Sequence, residues 1–203
     1  MSKTQLYLIR HGETKWNIEK RCQGHTDIPL NETGLAQAEK LGHHMRDVPI
    51  DAVYASDLGR ATQTGEQVAR QHGLPVQQRE GLRERFYGEW EGLSFEQIAE
   101  QYVDHREVRH KGGVYGIESF ENLQKRLVNT LTALAERHLG QSIVAVSHGG
   151  SINAFLHWVT NGELGTGVTR IENTSVTQFT FDESGKWEVV EVNQVRHLQE
   201  VES

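Results

Sequence analysis

The sequence predicts an α/β protein, a three-layer α/β/α sandwich around a mainly parallel sheet with an antiparallel edge. Three observations point there. Short apolar runs (LYLI, AVYA, IVAV) alternate with stretches whose apolar residues recur at helical spacing, the pattern of βαβ units. The last two apolar segments, TSVTQFTF and KWEVVEV, are separated only by DESG, a hairpin signal. A chain of 203 residues with three prolines and no internal repeat fits one α/β domain, expected to span residues 1–203.

Taken in order, QLYLIR reads as a buried strand ending abruptly at His11-Gly12. Asn31 can cap a helix with Leu35, Ala38, Leu41 and Met45 at core spacing. DAVYAS is a second strand, followed by a helix carrying Ala61, Thr64, Val68 and Ala69 on one side, and LPVQQ is a short third strand. Residues 86–116 keep no clean period and carry Gly88, Gly92, Gly112 and Gly113, so they read as an inserted, partly helical lid or specificity segment with Ser94 as a cap. Glu118 to His138 predicts a long helix with Phe120, Leu123, Leu127, Leu131 and Leu134 inward. SIVAVS is a buried strand and Gly150 to Val159 the helix after it.

Composition narrows the function classes. The formal net charge is −7 and no basic stripe is present, the opposite of a general nucleic-acid or anionic-membrane binder. At physiological salt that charge is screened within about 8 Å, so any anion must be held by local cations. A single cysteine, Cys22, leaves no internal disulfide, and no apolar run approaches the length of a membrane helix. A cytoplasmic protein is expected, with no nucleic-acid or membrane partner and a homodimer left open.

Placed on this map, the polar residues converge. Arg10 and His11 leave the first strand, Arg60 opens the helix after the second, Glu84 follows the third, and His148 follows SIVAVS. Open parallel sheets bind ligands beyond the carboxyl ends of their strands. Each residue alone has an ordinary structural reading, as a capping arginine, a surface carboxylate or a packed histidine. Together they suit a phosphate monoester. Two arginine forks match phosphate oxygens, with help from the helix N-termini near Arg60 and after His148. A neutral imidazole, of His11 or of His148, is a competent nucleophile, and Glu84 can protonate a leaving alkoxide and then activate water. Four protein groups carrying the charge leave no call for a metal or cofactor.

LIRHGETKWN (Leu8 to Asn17) resembles the signature of the histidine phosphatase superfamily, the phosphoglycerate mutase-like proteins. QGHTDIPLNETGLAQA (Gln23 to Ala38), YASDLGRATQT (Tyr54 to Thr64), LRERFYGEWEG (Leu82 to Gly92) and VSHGG (Val146 to Gly150) resemble its further motifs in the expected order. The resemblance implies a phosphoglycerate mutase-like fold, His11 as the residue phosphorylated in turnover and Glu84 as proton donor. It implies a phosphate pocket of Arg10, Arg60 and His148, joined by Asn17, a Gly149 backbone N–H, and Gln23 and Gly24. The compact segment between the proton-donor motif and the second histidine is similar to the small broad-specificity phosphatases of the family. Ile117 stands where many members have glycine.

Competing motifs fail on spacing. A cysteine nucleophile at Cys22 needs arginine at position 28, which is Ile28, and a nucleophile elbow at Ser151 needs glycine at Asn153. No Walker loop or His-Glu-x-x-His is present. HREVRHK (His105 to Lys111) is either a solvated face or a grip for a second anionic group, and Trp16, Tyr87 and Trp90 either pack or stack on a substrate. The expected activity is metal-independent hydrolysis of small phosphate monoesters. A phosphoglycerate mutase and an inert binding module are the alternatives, the latter disfavoured because all five core residues are present.

Overall fold

The computed structural model describes residues 2–199, so the expected domain limits at 1 and 203 lie outside the described residues. β1 (Lys3–Arg10) alternates its faces, with Leu6 and Leu8 in one apolar cluster and Tyr7 and Ile9 in another. α1 (Lys15–Ile18) is a single turn held by reciprocal bonds between Thr14 and Asn17. α2 (Glu32–Met45) starts on Asn31, whose side chain accepts the Gly34 N–H as expected.

Ala38, Leu41 and Met45 of α2 turn inward as expected, and Leu35 does not. Leu35 is 45% exposed, while Gly34, Ala38, Leu41, Gly42 and Met45 are buried. Two close backbone approaches turn the helix this way. A Cβ on Gly34 would lie 2.1 Å from the Glu13 carbonyl, and one on Gly42 would lie 2.5 Å from that of Gln67. Hydrophobic spacing alone does not register such contacts, because glycine contributes nothing to it.

β2 (Ala52–Ala55) leads into α3 (Gly59–His72), which ends on left-handed Gly73. β3 (Val76–Gln78) is followed by 3-10 turns at 80–82 and 88–90, then α4 (Phe95–Gln101) and α5 (His105–Lys111). Ser94 caps α4 through a reciprocal pair with Gln97. α6 (Phe120–Arg137), β4 (Ser142–Ser147) and α7 (Gly149–Val159) come next. β5 (Val176–Asp182), β6 (Trp187–Gln194) and the short α8 (Arg196–Gln199) complete the described chain.

The six strands lie in the order β3-β2-β4-β1-β5-β6. The first four are mutually parallel, and β5 and β6 pair antiparallel at one edge. α6 and α7 cover one face through Leu123, Leu127, Leu131 and Phe155, and α2 and α3 cover the other through Leu41, Met45 and Val68. This is the three-layer sandwich the sequence predicts. A third cluster of Cys22, Trp90, Ile98, Val108 and Ile117 gives the stretch between β3 and α6 a small core of its own.

Leu127 is fully buried against the sheet from α6. Leu127→Ala should lower the unfolding free energy by about 3 kcal/mol in urea denaturation, the usual cost of a residual core cavity. A loss below about 1 kcal/mol would show that α6 collapses onto the sheet around the missing volume.

Candidate active site

Strand register brings the two histidines together. β1 and β4 are neighbours, with Arg10 opposite Ser147, and the His11 N–H donates to the Ser147 carbonyl at 3.0 Å. His11 and His148 therefore leave adjacent strand ends, with ring centroids 5.1 Å apart. Arg10, His11, Asn17, Gln23, Gly24, Arg60, Glu84 and Gly149 all line one cavity of about 560 Å³. His148 is fully buried against His11 rather than on that wall.

The His11 ring is only 3% exposed, and its Nδ1 lies 2.7 Å from the Gly12 carbonyl. A carbonyl can only accept, so Nδ1 carries the proton and Nε2 keeps its lone pair. Burial, then Arg60, then Arg10 hold the His11 pKa well below the ordinary histidine value, against a smaller opposing effect of the Gly12 bond. Burial and the same arginines, with His11, depress His148 likewise. Both rings are neutral at pH 7.

The guanidiniums are aimed by backbone carbonyls. Arg60 is completely buried, with Nη1 donating to the Thr26 carbonyl at 2.8 Å and Nη2 to that of Gly24 at 2.7 Å. Burial lowers its pKa to about 10, so it stays charged. Arg10 Nη1 donates to the Ile171 carbonyl at 2.6 Å. The Nε atoms of both arginines and both ring nitrogens of His148 are buried without a hydrogen-bond partner among the described residues. Buried donors in that condition are rare in folded proteins and mark a place built for an acceptor.

Asn17 Oδ1 accepts from the N–H and Oγ1 of Thr14, each at 3.0 Å, which leaves its amide NH2 for the cavity. Gln23 Oε1 lies 3.1 Å from the same Thr14 Oγ1, whose single proton goes to one of the two amide oxygens at a time. Gly24 has φ 53°, and a Cβ there would lie 2.0 Å from Glu91 Oε1. Its lack of a side chain thus serves the turn, and its carbonyl serves Arg60.

The helix after His148 departs from expectation. The sequence points its N–H groups at phosphate, but those of Gly150 and Ser151 donate to Glu84 Oε2 and Oε1, each at 3.0 Å. Arg85 N–H adds a bond to Oε1 at 2.8 Å. The carboxylate occupies the positive end of α7 because Gly150 lets it approach; a Cβ there would be 2.7 Å from Oε1.

Several residues in the site were not singled out from sequence. Thr64 Oγ1 accepts the Gly12 N–H at 3.0 Å, and Asn173 Nδ2 donates to the His11 carbonyl at 3.0 Å. Glu91 accepts the N–H groups of His25, Thr26 and Tyr87, and so holds the loop that aims Arg60. Glu91 lies inside the LRERFYGEWEG motif, a signal that was available, whereas nothing near Asn173 announces its partner. Of the HREVRHK run, His105, Arg109 and His110 reach the cavity wall, with the Arg109 guanidinium 5.1 Å above the Phe95 ring. Arg21, Arg85 and Arg170 also line it, while Glu84 is the single acid there among the described residues. Tyr87 and Trp90 line the cavity and Trp16 does not. Burial next to Glu84 and Glu91 pushes the Cys22 thiol up, so it is no thiolate. Among the described residues no His, Cys, Asp and Glu side chains group to hold a metal ion, and no helix is long and apolar enough to cross a membrane.

Residues 6–195 match the sequence model of the histidine phosphatase superfamily (branch 1). A protein named uncharacterized phosphatase PhoE from Bacillus subtilis is 34% identical, over 96% of this chain and 97% of its own. A metal-independent phosphoserine phosphatase from Arabidopsis thaliana is 33% identical over 98% of this chain and 84% of its own. The solved structure of YhfR from Bacillus stearothermophilus superposes with a TM-score of 0.88 at 33% identity, covering 96% of this chain and 99% of that one.

The neutral histidines make stability depend on pH. An unfolded chain protonates them near pH 6.5, while the fold keeps them neutral. Below that pH the unfolded state binds more protons, and each histidine removes up to about 1.4 kcal/mol of stability per pH unit. Urea denaturation between about pH 6 and pH 5 should therefore show a shallower loss in His148→Asn than in the parent, by about that amount. An unchanged slope would mean that His148 is charged in the fold.

Proposed function

The chain belongs to the histidine phosphatase superfamily, branch 1, and on that premise we propose that it hydrolyses small phosphate monoesters through a phosphohistidine on His11. It is a phosphoric monoester hydrolase; the residue roles and the substrate are our assignments. The observation that carries the reading is the His11 imidazole, neutral and with Nε2 unprotonated, set among Arg10, Arg60 and Glu84 on one cavity wall.

In the first step His11 Nε2 attacks phosphorus and the bond to the ester oxygen breaks. Glu84 gives its proton to the leaving alkoxide. Oε1 already accepts two N–H groups, with the Ser151 hydroxyl 3.2 Å away, while Oε2 accepts only that of Gly150, so Oε2 is the oxygen with room for the proton. In the second step Glu84 takes a proton from water as the water oxygen attacks phosphorus, and the N–P bond breaks to return neutral His11 and inorganic phosphate. Arg10 and Arg60 stabilise the equatorial oxygens throughout, with the Asn17 and Gln23 amides and the Gly149 N–H as further donors. His148 packs against the His11 ring just behind the cavity wall, and its unpartnered ring N–H is the donor it would offer to the phosphate.

Residues 86–116 work in this reading as a specificity lid on a single domain. They bring Arg109 and His110 to the cavity, which suits an organic group that is itself anionic. The phosphoserine phosphatase relative supports hydrolysis over transfer.

Incubation with 3-phosphoglycerate tests both points. Free phosphate should accumulate, with a kcat/KM above that for an uncharged alkyl phosphate. Rapid formation of 2-phosphoglycerate with little free phosphate would make the protein a mutase, and the reverse order of substrates would remove the anionic preference. His11→Ala should abolish turnover and acid-labile labelling by phosphate ester together. A label that persists on that variant would move the nucleophile to His148.

A further inference from the structure

Residues 81–84 carry Glu84 into the cavity across the end of a 3-10 turn, so their carbonyls gain no partners from a strand ladder. Side chains supply them. The Leu82 carbonyl accepts from Ser147 Oγ at 2.7 Å, that of Arg83 from Ser151 Oγ at 2.8 Å, and that of Glu84 from His25 Nε2 at 2.8 Å. One further side chain reaches three of the four carbonyls. Arg126 Nη1 donates to those of Gly81 and Arg83, each at 3.0 Å, and Nη2 to that of Glu84 at 3.2 Å.

The same guanidinium is oriented by Glu118. Nε donates to Oε1 at 3.1 Å and Nη2 to Oε2 at 2.8 Å. Glu118 also brackets the residues after Glu84, since its N–H donates to the Phe86 carbonyl at 2.9 Å and its carbonyl accepts Arg85 Nε at 2.8 Å. A planar fork of five N–H donors can make this set of bonds, whereas an ammonium cannot. Its base is firm, because Leu123 and Leu127 on the same helix are packed into the core on the sheet.

We propose that Arg126 is a positioning residue for the reaction: it fixes the backbone of residues 81–84 so that the Glu84 carboxylate keeps its place beside the bond that breaks. The inference rests on the reading of Glu84 as the acid. Proton delivery to a poor leaving group depends on placement to within a fraction of an ångström, while a p-nitrophenolate departs without an acid. A loosened Glu84 therefore loses catalysis selectively, in kcat and according to leaving group. A residue that only supports the fold would not discriminate in that way.

The experiment compares the parent protein, R126M, R126K and E84Q on 3-phosphoglycerate and on p-nitrophenyl phosphate, with thermal melting of each. In R126M, kcat for 3-phosphoglycerate should fall roughly tenfold or more while that for p-nitrophenyl phosphate stays within about threefold, and KM should hold for both. R126K should lie between, because an ammonium can remake only part of the set. If R126M does not fold, R126K is read by the same criterion. Equal losses on both substrates, or no loss, while E84Q remains selective would overturn the role of Arg126 alone. Absence of selectivity in E84Q would sink the acid assignment, and this inference with it.

Discussion

The parallel pairing of β1 with β4 is the constraint from which the site follows. With Arg10 held opposite Ser147, the next residue on each strand is a histidine, and the two rings meet at the carboxyl edge of the sheet. A slip of either strand by one residue would send its side chains to the other face and part the two rings. The register is protected because Leu6, Leu8, Ile143 and Ala145 are buried on one face while Ile9, Val144 and Val146 are buried on the other. The chemistry thus draws its precision from the most heavily buried part of the protein.

Burial also decides the protonation of the site. Two arginines and two histidines share a small desolvated volume in a chain of net charge −7. Arginine keeps its charge under such conditions, because its intrinsic pKa leaves a wide margin even after the drop at Arg60 to about 10. Histidine has no such margin and becomes neutral. One environment therefore holds two charged guanidiniums beside an uncharged His11 imidazole, with the Gly12 carbonyl selecting its tautomer.

Three carboxylates organise the loops around this centre. Glu84 collects the first N–H groups of α7, Glu91 collects those of His25, Thr26 and Tyr87, and Glu118 binds the arginine that gathers the carbonyls of residues 81–84. Irregular backbone leaves donors and acceptors that no ladder satisfies, and charged side chains satisfy several at once. This explains why acids cluster near an anion site without cancelling it. Glu91 and Glu118 face backbone N–H groups and Arg126, and among the described residues only Glu84 lines the cavity with its six arginines.

Local pattern by itself determined the layers, the order of strands and helices, and the five residues at the sheet edge. Apolar period and strand-end position are properties of neighbouring residues, so β1, β4 and α6 were legible, and His11, Arg60, Glu84 and His148 with them. The spacing left the choice between His11 and His148 open. Resemblance implies His11, and the Gly12 carbonyl leaves Nε2 of that ring unprotonated. Only the tertiary structure decided that Gly34 and Gly42 rather than Leu35 complete the inward face of α2, that the N-terminus of α7 receives Glu84, and that Asn173, Glu91 and Arg126 bond the backbone around the site. Those outcomes depend on which backbone groups are left unsatisfied once distant loops meet, and on glycines whose contribution is the absence of a side chain. Neither leaves a periodic trace along the chain.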